Sequence, residues 1–230
     1  MHTMRLSLVV AGFAGAFAAA SKPPAPPCAA PPGIVPVVNE SLCYQTVEPT
    51  NPSGVTIRQY GFPPNATFAT GVGSGAFLPG VQGSIAAVLS YFSGANDQQR
   101  DISAAKTTPF AVIPPKPPAV SGTWIANLQI SPSQFPDDFL IPRPNPPVRL
   151  SHVADNIGLP AYIAVFQFNT TGFPYLENCQ EACGVIQNST LPAGYAVNTS
   201  HPWSPTFVFY NGQNSVNFTS ECWMVVYSTS

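Results

Sequence analysis

The residues of this chain whose types and spacing could do chemistry are few. Five are cysteines: Cys28, Cys43, Cys179, Cys183 and Cys222. In an oxidising compartment they are expected to form disulfides. An odd number leaves one thiol free, or able to bridge two chains into a disulfide-linked dimer. Cys28 with Cys43 would pin the N-terminal leader to the rest of the chain. Cys179 and Cys183 share a face if their stretch is helical, with Cα atoms near the upper limit for a bridge. Cys222 falls in an expected strand and is either the unpaired residue or the partner of one of that pair. A C-x₃-C spacing with three scattered histidines is poor zinc spacing, so no metal is expected.

Acid–base candidates are equally sparse. Asp137-Asp138 stands in a Pro-rich stretch and reads as a solvated loop. Glu177 and Glu181 are one helical turn apart with no basic partner in sight. His152 and His201 read as ordinary surface histidines. No Gly-x-Ser-x-Gly elbow, His-Glu-x-x-His pair or phosphate loop is present. The chain reads as non-enzymatic. A hydrolytic enzyme on a small apolar substrate is the alternative, and no residue can be nominated for it.

The N-terminus explains the oxidising environment. Arg5 is followed by an apolar and small-residue run from Leu6 to Ala19, then Ala18-Ala19-Ala20 as a cleavage-like site. This is the pattern of a secretory signal peptide, expected over 1–20. Residues 21–42 form a Pro-rich leader with polyproline-like stiffness. Asn39, Asn65, Asn169, Asn188, Asn198 and Asn217 each begin an Asn-x-Ser/Thr without an intervening proline, so all are candidate glycosylation sites. The expected location is extracellular or the secretory lumen.

Composition narrows the partners. Only 8% of residues are charged and the net charge is −2. With no basic patch to neutralise phosphates, nucleic-acid binding is excluded. No later stretch is long and apolar enough to span a membrane. The 28 prolines cluster in the leader and in loops at 114–118 and 142–147, marking connections, not strand interiors.

The elements that would position any site follow from periodicity. Val55–Tyr60 and Ala66–Val72 alternate like a half-buried strand pair. From Phe77, Val81, Ile85, Val88, Leu89 and Phe92 recur at helical spacing, with Pro79 in the first turn and Gly94 at the C-terminal cap. Gly80 and Gly83 predict a frayed first turn. Strands are expected at Thr108–Ile113, Trp124–Ile130, Pro146–Val153, Ala161–Phe168, Thr206–Tyr210 and Glu221–Tyr227, with a weak helix at 174–187. The order is two strands, a helix and two strands, used twice within one domain over 43–230.

Three segments carry a resemblance. Val55-Thr56-Ile57-Arg58-Gln59-Tyr60 is similar to the Tyr-x-Ile-Arg-x-Tyr motif of the SOUL family of haem-binding proteins. Ser84 to Asn96, ending Tyr91-Phe92-Ser93-Gly94-Ala95-Asn96, resembles that family's Tyr-Ile-x-Gly-x-Asn helix end. Ile102 with Thr107-Thr108-Pro109-Phe110 resembles its Thr-x-Pro strand, and Ser220-Glu221-Cys222-Trp223 its closing Asn-Glu-Val-Trp. The resemblance implies an α+β fold: a SOUL-like duplicated (ββαββ) antiparallel barrel-like sheet with two packed helices. It also implies haem or another tetrapyrrole held in an apolar cleft beside the first helix.

That ligand is a flat apolar disc with two carboxylates. The stripe of Val81, Ile85, Val88, Leu89 and Phe92 would line its slot, and Arg58 and Lys106 would meet the propionates. Gln59 stands where some members carry a histidine, and no Cys-Pro offers a thiolate. Shape and apolar contact, without a strong axial bond, are therefore expected. The alternative is a secreted, glycosylated interaction protein with the same fold that has lost tetrapyrrole binding.

Overall fold

The computed structural model describes residues 44–48, 50–60, 66–104, 110–116, 121–135, 140–152, 161–210 and 216–228. The expected signal peptide and leader lie outside these residues, as do Cys28, Cys43, Asn39, Asn65, Lys106 and Asp137-Asp138.

Alternating apolar and polar residues produce strands where the pattern predicts them, and pairing extends several. The strands are β1 (Tyr44–Glu48), β2 (Thr56–Tyr60), β3 (Thr67–Ala76), β4 (Phe110–Ile113), β5 (Ser121–Gln129), β6 (Arg149–His152), β7 (Ala161–Thr171), β8 (Tyr195–Val197), β9 (Thr206–Phe209) and β10 (Asn217–Ser228). Two helices join them, α1 (Phe77–Phe92) and α2 (Leu176–Asn188). The fold is α+β. One mostly antiparallel sheet runs β1-β2-β7-β10-β9-β4-β5-β3-β6, with β8 paired to β10.

Setting β1 and β8 aside, the order is unchanged on reversal if β2 is exchanged with β6, β3 with β7, β4 with β9 and β5 with β10. Each helix follows the second strand of its half, α1 after β3 and α2 after β7.

The sheet has a core on each face. On one, α1 and α2 pack against Val112, Trp124, Ala126, Leu128, Phe207 and Met224. On the other, Tyr44, Tyr60, Phe68, Ile163, Val165, Trp203, Val208 and Trp223 form a second core. That set runs from β1 to β3, near opposite ends of the strand order, so the sheet curls around it.

Glycines set the distance between α1 and the sheet. Gly71 and Gly73 of β3 lie under the helix, where a Cβ on Gly73 would strike the carbonyl oxygen of Gly80. A Cβ on Gly80 would strike the Trp124 ring. The helix runs unbroken from Phe77, contrary to the frayed first turn expected from Gly80 and Gly83. Close packing outweighs the roughly 1 kcal/mol intrinsic penalty of glycine in a helix. At the other end Gly94 takes a φ of 93° just past the helix, as its expected capping role requires.

α2 is tied to the sheet covalently. Cys183 bonds Cys222 of β10, with Cα atoms 5.4 Å apart. This settles one of the open pairings: Cys222 is the partner of one of the helix pair, and among the described residues Cys179 is left as a free thiol. Cys179 lies one turn earlier on the same helix face and is fully buried. It therefore presents no surface sulfur for a dimer bridge. Burial, with Glu177 adding to it, pushes the thiol up to about 12 from 9.0. At pH 8 its thiolate fraction is roughly a thousandfold below that of an exposed cysteine. Alkylation at pH 8, followed by peptide mass mapping, should leave Cys179 unmodified in the native protein and label it rapidly in denaturant. The raised value also has a linkage consequence. The stability it contributes is complete below pH 9 and is lost as the pH rises toward 12.

Candidate functional site

The strands that carry the motif residues bring two distant segments together. Arg58 of β2 and Glu221 of β10 both flank β7, on the face away from the helices. Arg58 Nη1 donates to Glu221 Oε1 at 2.8 Å. It also donates to the Tyr60 hydroxyl at 3.3 Å. Glu221 Oε2 accepts from the Tyr210 hydroxyl at 2.7 Å and from Trp223 Nε1 at 2.7 Å. The Arg58 guanidinium lies 4.2 Å over the Tyr44 ring, and the Tyr60 ring packs against Trp223 with centroids 4.8 Å apart and planes tilted by 41°. Glu221 is wholly buried and Arg58 nearly so.

An ion pair taken out of water gains stability as its remaining hydrogen-bonding groups are met. Glu221 is fully met, since three donors reach its two oxygens; Arg58 is met only in part, its buried Nε having no hydrogen-bond partner. For Arg58, burial works against the charge, but Tyr60, Glu221 and Tyr44 more than reverse it, and the guanidinium is held above its ordinary value. Burial raises Tyr60, Tyr44 and Tyr210 above the usual tyrosine range, with Glu221 adding in each case. These hydroxyls stay protonated. Chemically the cluster is a lock between β2 and β10, not a poised acid or base.

The same face carries a second polar set. Thr70 Oγ1 donates to Asn127 Oδ1 at 2.7 Å and lies 2.9 Å from Ser151 Oγ, while Asn127 Nδ2 donates to the Ala111 carbonyl. Gln129, two residues along β5, is fully buried and neither end of its amide has a hydrogen-bond partner.

Among the described residues, those expected to hold a ligand are not gathered into one cleft. Val81, Ile85, Val88 and Phe92 of α1 are buried in the helix-side core. Leu89 points outward and is 41% exposed. Its place in the buried row is taken by Tyr91, whose hydroxyl donates to the Pro142 carbonyl at 2.7 Å. The reason is angular: Leu89 lies 100° past Val88 and off the row that Val81, Ile85, Val88 and Phe92 define. Arg58 stands on the opposite face of the sheet from α1, bonded to Glu221, so it does not stand at the rim of an α1 slot.

What α1 does present is an outer row without charge. Leu78 and Leu89 are exposed and, eleven residues apart, point the same way. Gln82 and Ala86 lie exposed between them. At 1.5 Å per residue the row is about 16 Å long. Arg100 lies by its C-terminal end, where Ile102 N–H bonds the Phe92 carbonyl, and its guanidinium sits 5.5 Å from the Phe135 ring centroid.

The carboxylate candidates of α2 are exposed. Glu181 lines a groove of about 520 Å³ with Ser53, Gly184, Val185, Asn188 and Ser189. His152 lies 3.3 Å from Thr67 Oγ1, and His201 Nδ1 accepts the Trp203 N–H, with burial lowering the imidazole. No three metal-ligating side chains converge among the described residues, and no described helix is long and apolar enough to cross a membrane. Of the candidate glycan sites, Asn169, Asn188 and Asn217 are exposed and Asn198 is partly buried.

Sequence reasoning missed Glu221 as the partner of Arg58. The signal was present: a lone acid inside Ser-Glu-Cys-Trp-Met-Val-Val, in a chain with so few charges, needs a buried cation. Neither a scan against protein-family models nor a search of curated proteins finds a match for this chain.

Proposed function

We propose that this chain is a secreted, non-enzymatic tetrapyrrole-binding protein with a SOUL-like duplicated fold. The duplication is supported by the strand order, which exchanges the two ββαββ halves on reversal. The SOUL likeness is supported by the meeting of its first and last motifs, Ile57-Arg58-Gln59-Tyr60 and Glu221-Cys222-Trp223, in one buried cluster. Secretion is supported by the Cys183–Cys222 disulfide, which suits an oxidising compartment.

The observation that carries the ligand proposal is the uncharged outer row of α1. The ring lies against Leu78, Ala86 and Leu89, and Arg100 meets a propionate at the helix's C-terminal end. This moves the contact from the buried stripe to the exposed one and replaces Arg58 as the cation. No axial ligand is assigned. Titration of the secreted protein with haemin and with protoporphyrin IX tests this. Saturable one-to-one binding of both, seen as a shifted Soret band, is expected.

A second reading is a secreted interaction protein that keeps the fold and takes no tetrapyrrole. Two observations favour it: Arg58 is consumed by Glu221, and Val81, Ile85 and Val88 are closed in the core. Absence of saturable binding by either porphyrin selects this reading.

A further inference from the structure

We infer that a glycan on Asn188 is seated in the groove along α2, its first sugar rings packed against the helix; the inference rests on the secretory reading above. The sequon Asn188-Ser189-Thr190 stands at the end of α2, and its first two residues line the groove of about 520 Å³. Glu181, Gly184, Val185 and Asn188 follow at i, i+3, i+4 and i+7, so all four share one face of the helix. It is the face turned away from Cys179, Ala182, Cys183 and Ile186, which are buried. Ser53 brings a second segment to the groove, and that segment is fastened to the sequon itself. Asn51 Nδ2 donates to the Thr190 carbonyl at 3.3 Å. Helical side chains lean toward the N-terminus, so the exposed Asn188 side chain leans back over Val185 and Gly184. A glycan on it starts out along the groove.

The lining suits a sugar. Glu181 lies two turns back, about 10 Å along the axis, and its carboxylate accepts from hydroxyl groups. The Ser53 hydroxyl donates or accepts. Half-buried Val185 and the bare backbone at Gly184 give an apolar floor for a ring face or an N-acetyl methyl. Gly184 is the most telling residue. Gly71, Gly73 and Gly80 each make room for an atom that a Cβ would strike, but a Cβ on Gly184 meets nothing within 4 Å and its φ is not positive. The protein's own packing therefore gives no reason for so costly a residue inside a helix. A sugar ring lying on the helix backbone supplies one. Because the glycan is covalently held, weak contacts suffice to seat it.

The modification balances as a substitution. The asparagine amide nitrogen bonds the anomeric carbon of a lipid-diphosphate oligosaccharide. The bond from that carbon to the diphosphate oxygen breaks, the lipid diphosphate leaves, and the amide gives up one proton.

The test uses the full chain secreted from a eukaryotic host, as wild type and as Gly184→Leu, whose side chain fills the groove. Glycopeptide mass spectrometry should find Asn188 occupied in both. A peptide N-glycosidase acting on the folded proteins should release the Asn188 glycan about tenfold more slowly from wild type, because a seated glycan is cut only when it lifts away. Thermal melts should show that Gly184→Leu is no less stable than wild type once both are deglycosylated. In denaturant the two release rates should agree. Bare Asn188 beside occupied sequons elsewhere would overturn this inference and leave secretion standing. Equal release rates from the two folded proteins would do the same. No occupancy at any sequon would overturn both.

Discussion

Glu221→Gln is expected to destabilise the fold by about 3–5 kcal/mol, because it leaves the Arg58 guanidinium buried without a counter-charge. For a chain of this size that is a fall in Tm of roughly 6–20 °C. The glutamine oxygen can still accept, but its NH₂ must face a donor-only group, Arg58 on one side or Trp223 Nε1 on the other, and only the Tyr210 hydroxyl can turn round to accept from it. The companion Arg58→Met/Glu221→Gln variant removes the stranded charge and should recover a large part of the loss. Thermal melts of wild type, both single variants and the double variant give the coupling directly. If Glu221→Gln melts within a degree of wild type, the pair is not the lock described here.

Gly73→Ala should cost about 3 kcal/mol, at the top of the range for overpacking. The added methyl meets the backbone carbonyl of Gly80, which cannot swing aside as a side chain would. Relief requires α1 to lift from β3, and with it Val81, Ile85 and Val88, which are sealed in the core. Gly83→Ala makes a suitable control, because a Cβ there meets its nearest neighbour at an ordinary 3.6 Å. Denaturant melts should show a lowered midpoint for Gly73→Ala and an equal or raised one for Gly83→Ala, which gains up to about 1 kcal/mol of helix propensity. Equal midpoints for Gly73→Ala and wild type would mean that the helix does not rest on its glycines.

These two effects mark where the sequence was informative and where it was not. β7 was legible because Ala-Tyr-Ile-Ala-Val-Phe-Gln-Phe alternates cleanly, and α1 because its buried row recurs every three or four residues. β1 was not, because Tyr-Gln-Thr-Val-Glu owes its strand to pairing with β2. β8 has only three residues and depends on β10 in the same way. Leu89 was misplaced because an apolar residue next to a helical stripe reads as part of it, although its angle turns it to solvent. The Arg58–Glu221 contact spans 163 positions. Local pattern cannot supply such a pairing, but the cost of an unpaired charge in an apolar strand can. The glycines were read as helix-weakening because their benefit, closeness to Trp124 and β3, belongs to tertiary packing.

The proposal that the uncharged outer row of α1 receives a tetrapyrrole is tested most directly by titrating the Leu78→Asp/Leu89→Asp variant with protoporphyrin IX alongside wild type. Both side chains are exposed, so the variant should keep its melting temperature. The account predicts affinity weakened at least tenfold, or about 1.4 kcal/mol, with the fold intact. Wild-type binding that survives unchanged in this variant would contradict it and place the ligand elsewhere on the protein.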